Sequence, residues 1–133
     1  MAETGKKLYE TLFVEDNQEN MEVISYFVKD ICKVSSVTDG PSAINAAKEK
    51  QFELILMDIN LGLGMNGMEA TRQIRKLPGY ETTPIVAVTA YAMVGDREIF
   101  LNAGCTHYIS KPFTRGELIS LIKTVFDPET TSQ

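Results

Sequence analysis

The chain of 133 residues is the size of one ordinary domain, and its 44% hydrophobic and 23% charged content is that of a globular protein rather than a disordered or fibrous one. Thirteen basic against eighteen acidic residues leave a net charge of −5, which argues against broad binding to nucleic acid or anionic membrane. No apolar run approaches the ~18–20 residues of a membrane span, and residues 1–7 are polar with nothing of signal-peptide type. Cys32 and Cys105 lie far apart without a CxxC pairing, so buried free thiols and a cytoplasmic location are expected.

Apolar runs of strand length alternate with segments of helical period along the chain. The first strand is expected at about Leu8–Val14, and Glu15-Asp16-Asn17 then offers caps to a helix in which Met21, Ile24, Phe27, Val28 and Ile31 keep the 3.6-residue period. Val34–Thr38 is shorter and more polar, as at a sheet edge. Gly40-Pro41 opens a second helix with Ala43, Ile44, Ala46 and Ala47 on its inner face. Phe52–Met57, immediately before Asp58, has the continuous apolar character of a central strand covered on both sides. A helix over Gly67–Leu77 comes next, with Met68, Ile74 and Leu77 inward, then a strand over Pro84–Val88 ending at Thr89. The next helix runs through Ile99–Ala103 and stops at Gly104. Tyr108-Ile109-Ser110 is the last strand and Glu117–Phe126 the last helix, with residues 127–133 a frayed tail. Strict alternation, without repeat or linker, predicts one domain with a core at about 8–126: a parallel sheet with helices on both faces.

In such sheets ligands bind beyond the carboxyl ends of the strands. The first strand ends in Glu15 and Asp16, the third in Asp58, the fourth in Thr89 and the fifth in Lys111. Taken singly, Asp16 or Asn17 is explained as well by helix capping. Taken together, three carboxylates on one rim repel unless a cation joins them or one is protonated. Without imidazole or thiolate partners, Mg²⁺ is the natural guest. A carboxylate can be the nucleophile toward phosphorus, with metal, ammonium and hydroxyl groups holding the other oxygens, so the rim reads as a phosphoryl-acceptor site.

Five blocks carry a family resemblance: Leu12-Phe13-Val14-Glu15-Asp16-Asn17, Ile55-Leu56-Met57-Asp58-Ile59, Gly67-Met68-Glu69-Ala70-Thr71, Pro84-Ile85-Val86-Ala87-Val88-Thr89-Ala90 and Tyr108-Ile109-Ser110-Lys111-Pro112-Phe113. From about Leu8 to Phe126 the chain resembles a response-regulator receiver domain, including the spacing of twenty-two between Thr89 and Lys111. The resemblance implies a flavodoxin-like sheet of order 2-1-3-4-5. It implies that Asp58 accepts a phosphoryl group from the phosphohistidine of a histidine kinase or phosphotransfer domain, with only weak self-hydrolysis as further chemistry. It also implies that Asp16 holds Mg²⁺ directly and Glu15 through water, Asp58 and the backbone carbonyl of Asn60 completing the set. Lys111 would contact the phosphoryl oxygens, Lys111-Pro112 would be cis, and Thr89 and Tyr108 would be the switch pair. A downstream output domain or protein, and a homodimer, belong to the same implication.

Glu15 replaces the more usual Asp and, with Asn17 and Asn20, resembles receivers of hybrid histidine kinases. Gly62 stands where the family usually has Pro, and Gly67 is nine rather than eight residues past Asp58, so one residue is inserted in a loop whose glycines add backbone freedom. A receiver-like interaction domain working without phosphorylation is the alternative this raises. A phosphatase of the aspartate-nucleophile type would need Asp where Asn60 stands. Asn60 and Tyr91 occupy positions that tune phosphate lifetime in the family, without giving a rate. Residues 62–67 spell GxGxxG, but after the third strand rather than the first, so a mobile loop explains them better than a dinucleotide site. His107 reads as a strand-edge residue, and Met65 and Met68 as core or loop filling.

Overall fold

The computed structural model describes residues 7–62, 64–90 and 96–127; Tyr91 and residues 128–133 lie outside them. In chain order the elements are β1 (Tyr9–Val14), α1 (Gln18–Val28), β2 (Cys32–Val37), α2 (Gly40–Glu49), β3 (Leu54–Asp58), α3 (Gly67–Arg75), β4 (Ile85–Thr89), α4 (Asp96–Ala103), β5 (His107–Ser110) and α5 (Arg115–Phe126). The five strands form one sheet of order β2-β1-β3-β4-β5, every pairing parallel. The expected flavodoxin-like architecture is the one observed, and β2 lies at an edge as its polarity suggested.

Strand alternation sorts the apolar residues to two faces. Ile55 and Met57 of β3 with Ile85 and Ala87 of β4 meet Ala43 and Ala47 of α2, Ala70 and Ile74 of α3 and Phe100 of α4. Leu54, Leu56, Val86 and Val88 meet Met21, Ile24 and Val28 of α1 and Leu118 and Ile122 of α5. Every residue of β3 and β4 is buried, which is why both read as unbroken apolar runs.

Element ends obey local chemistry. Asn17, Asp39, Asn66 and Thr114 cap α1, α2, α3 and α5, each side chain accepting from a backbone N–H of the first turn. Thr114 and Glu117 form a reciprocal capping box, so α5 begins at Arg115, two residues before the expected start; the T-x-x-E pattern carried that signal. The first helix ends at Val28, leaving Ile31 outside it, with its N–H on the Val28 carbonyl at 3.0 Å. The third ends at Arg75 rather than Leu77, whose N–H turns back to Ile74 at 2.9 Å. As expected, α4 stops at Gly104, where φ is +116° and the Gly104 and Cys105 N–H groups bond back to Leu101 and Phe100, the two bonds of a Schellman ending.

Arg75 ties this ending to the rest of the fold. Its Nε and Nη2 donate to the Gly104 carbonyl at 2.9 and 2.7 Å, and its Nη1 to the Tyr80 carbonyl at 2.6 Å. The Tyr80 hydroxyl donates to the Lys50 carbonyl at 2.6 Å and accepts from the Phe52 N–H at 3.0 Å, bracing the entry to β3. Arg75→Ala orphans two partly buried carbonyls and is expected to cost about 2 kcal/mol. The check is a lower urea midpoint at unchanged slope, with only partial recovery in Arg75→Lys, which keeps the charge and loses the planar fork.

Candidate functional site

The carboxyl ends of β1 and β3 sit side by side, since Val14 pairs with Met57. Glu15 and Asp16 therefore leave the sheet beside Asp58. One carboxylate oxygen from each of the three residues lies within 4.8 Å of the others, with Glu15 and Asp58 buried and Asp16 exposed. The cap of α1 is Asn17, so capping does not account for Asp16. Glu15 is held from below by the Asn17 N–H, 3.1 Å from Oε2, and Asp58 by the Asn60 N–H, 3.0 Å from Oδ1.

Lys111 arrives from the end of β5, where its N–H donates to the Thr89 carbonyl at 2.7 Å. Its ammonium lies 3.5 Å from Glu15 Oε1 and 3.8 Å from Asp58 Oδ2, bridging the two buried carboxylates. The Lys111–Pro112 peptide is cis. Thr89 is buried as the last residue of β4, one step beyond Val88, the register partner of Asp58. Tyr108 lies apart from the carboxylates' strand ends, 38% exposed on the edge strand, its ring tilted against Phe100 at 5.9 Å between centroids. His107 lies in the same strand and shares a hydrogen bond with Thr106 Oγ1 at 2.8 Å.

Burial and then the Glu15 carboxylate push the Asp58 carboxyl up to about 7; Lys111 and the Asn60 N–H act in the opposite direction without offsetting them. The cluster thus carries more negative charge than one lysine balances. An all-oxygen donor set with surplus negative charge fits a hard divalent cation such as Mg²⁺, which Glu15, Asp16 and Asp58 would hold.

The loop after β3 is the one in which the resemblance implies an extra residue. Gly67 N–H donates to the Ile59 carbonyl at 3.0 Å, and a Cβ on Gly67 would stand 2.2 Å from the Asp58 carbonyl oxygen, so only glycine closes the loop this tightly. Gly62 and Gly64 take φ of +76° and +90°, the conformations that the glycine-rich sequence permits. Leu61 and Met65 seat on the core. The two thiols are buried, and burial raises that of Cys105 to about 11, far from a reactive thiolate.

The family model described as "Response regulator receiver domain" matches residues 11–123. The chain belongs to that family. Among known receivers, that of the Pseudomonas aeruginosa sensor histidine kinase PA1611, solved with a magnesium ion coordinated in its active-site cleft, is 39% identical. It superposes with a TM-score of 0.80 over 88% of this chain and 96% of that one. The chemotaxis protein CheY4 of Vibrio cholerae gives a TM-score of 0.84 at 25% identity, over 90% of this chain and 99% of that one. In sequence, the signal transduction histidine-protein kinase BarA of Escherichia coli K12 is 35% identical over 123 residues, 92% of this chain but only 13% of that kinase. The polar-differentiation response regulator DivK of Brucella anthropi is 36% identical over 118 residues, 85% of this chain and 92% of its own length. The chain thus spans about an eighth of the hybrid-kinase relative it matches and nearly all of DivK. Among the described residues no helix is long and apolar enough to cross a membrane.

The raised Asp58 carboxyl fixes a sign. The folded receiver holds that proton more tightly than the unfolded chain, so the associated stability is fully present below the ordinary value of 3.8 and is lost as pH rises through about 7. Without metal, Asp58→Asn, which cannot ionise, is expected to exceed the parent in stability by on the order of 2 kcal/mol at pH 8 and to lose that advantage at pH 4. Thermal melts of both proteins across pH check this, and parallel profiles would contradict it.

Proposed function

We propose that this receiver is the phosphoacceptor of a two-component phosphorelay, taking a phosphoryl group on Asp58 from a phosphohistidine of a histidine kinase or phosphotransfer domain. The observation that carries the reading is the convergence of Glu15, Asp16, Asp58 and Lys111 on one rim, with the buried Asp58 carboxylate between its charged neighbours. In the transfer an Asp58 carboxylate oxygen forms the new bond to phosphorus as the phosphorus–nitrogen bond to the donor breaks, the imidazole leaving with that electron pair. When bound, Mg²⁺ neutralises charge on the phosphoryl oxygens, and Glu15, Asp16, Asp58 and the Asn60 carbonyl are the groups proposed to hold it.

Lys111 supplies a fixed positive charge that can move its contact from Asp58 to a phosphoryl oxygen without leaving the rim. Thr89 is proposed to donate its hydroxyl to the same group, and Tyr108 to respond by changing its exposure at the edge strand, so a charge placed at Asp58 alters the surface offered to an output domain or protein. The only further chemistry proposed is slow hydrolysis of the acyl phosphate. The PA1611 receiver, with magnesium in its cleft, supports the metal assignment, and the histidine-kinase relatives support the donor class.

Incubation with Mg²⁺ and acetyl phosphate is expected to add one phosphoryl group by intact-mass spectrometry, with loss in EDTA and in Asp58→Asn. Lys111→Ala is expected to leave Asp58 intact yet slow phosphorylation by roughly 10²-fold, as for loss of one preorganised charge-stabilising group. No mass increase in the parent protein would favour a phosphorylation-independent interaction domain instead.

A further inference from the structure

The loop between β3 and α3 meets the fold at two places among its described residues. Gly62 lies against Asp16: a Cβ there would stand 3.1 Å from Asp16 Oδ2. Met65, partly buried, packs on the core and directly over the first residue of α2; a Cβ on Gly40 would stand 2.7 Å from Met65 Sδ, 2.9 Å from its Cγ and 3.1 Å from its Cβ. Gly40 is buried and begins a helix with Asp39 as cap and Pro41 behind it, so its lack of a side chain serves the approach of Met65. Leu61, 5% exposed, anchors the loop on the other side of Gly62. At its described residues the loop is thus seated at Leu61 and Met65 and closed at Gly67, with Gly62 set beside the exposed member of the acidic cluster.

We propose that Met65, seated in the notch at Gly40, is a positioning residue that sets Gly62 against the Asp16 carboxylate and so tunes the receiver's affinity for its divalent cation. The inference rests on the reading of Asp16 as a metal ligand. It reaches a residue that touches neither metal nor phosphoryl group. Asp16 is exposed, and the Gly62 backbone, near enough that an added Cβ would stand 3.1 Å from Oδ2, limits the orientations its carboxylate can take. Groups that orient a ligand from outside the coordination shell tune metal affinity, typically by about 10–100-fold where they hydrogen-bond it.

The notch gives the test two independent entries. Met65→Ala empties it, and Gly40→Ala fills it and forces Met65 outward. On helix propensity alone an alanine at Gly40 would strengthen α2, so any loss there reports the contact with Met65. Mg²⁺ titrated calorimetrically into the full chain is expected to show affinity lowered by about 10-fold in each single variant. Gly40→Ala combined with Met65→Ala is expected to be no weaker than Met65→Ala alone, because the two act through one contact. Met65→Leu, which keeps most of the volume, is expected to stay near the parent.

Folded single variants whose Mg²⁺ affinity matches the parent would overturn the proposal, even if their metal-free melting temperatures fall, since that is the signature of packing alone. Losses that multiply in the double variant would overturn it too. Should Met65→Ala not fold, Gly40→Ala decides by itself: weakened Mg²⁺ binding supports the notch, and unchanged binding refutes it. A parent protein that binds no Mg²⁺ would fail at the earlier step, removing the metal reading itself.

Discussion

The structure turns on a charge imbalance that the fold creates and does not relieve by itself. Glu15 and Asp58 are 1% and 2% exposed, they face each other at the end of the sheet, and Lys111 bridges them at 3.5 and 3.8 Å. Burying a carboxylate is costly unless it is paired and hydrogen-bonded. Here two share one ammonium, with Asp16 a third carboxylate close by. The backbone N–H groups of Asn17 and Asn60 hold the two buried carboxylates in place without supplying formal charge. Such a rim is poised for a divalent cation, whose charge would offset the surplus carboxylates.

Topology explains why these residues meet. A parallel sheet of order β2-β1-β3-β4-β5 puts β1 beside β3 at its centre, and both release their chains toward the same rim. Strands β3 and β4 are apolar up to their last residues, so the first polar positions, Asp58 and Thr89, fall where the sheet ends. The two hydrophobic clusters on opposite faces hold the strands in register, and the Arg75 and Tyr80 hydrogen bonds brace the opposite ends of β3 and β5. Close packing behind the site and a glycine-rich loop in front of it suit the proposed change of surface.

Much of this is legible in the residues. Alternation of apolar runs with helical periods marks the fold class, since two-sided burial leaves its imprint on β3 and β4. The acidic pair, the central Asp58 and Lys111 stand out because each is among the first charged residues past the end of an apolar run. Less visible are interactions that depend on three-dimensional approach. Arg75 reads as an ordinary charged residue at the end of a helix, yet its fork serves two carbonyls, one of them 29 residues distant. Gly40 reads as a helix opener beside Pro41, although the space at its Cα belongs to Met65. The early endings of α1 and α3 are hidden because Ile31 and Leu77 continue the apolar period after the backbone has turned; periodicity records which side is buried, not whether the hydrogen-bond ladder persists.

On the proposed reading, a divalent cation and a proton compete for the same buried carboxylate, Asp58. Calorimetric titration of Mg²⁺ into the full chain at pH 6.5, in buffers of different ionisation enthalpy, tests that competition directly. The expected result is one binding site whose apparent enthalpy varies with the buffer, reporting release of a fraction of a proton, and a release that vanishes at pH 9 where Asp58 is already ionised. Binding with no buffer dependence at pH 6.5, or no saturable binding at all, would contradict the account.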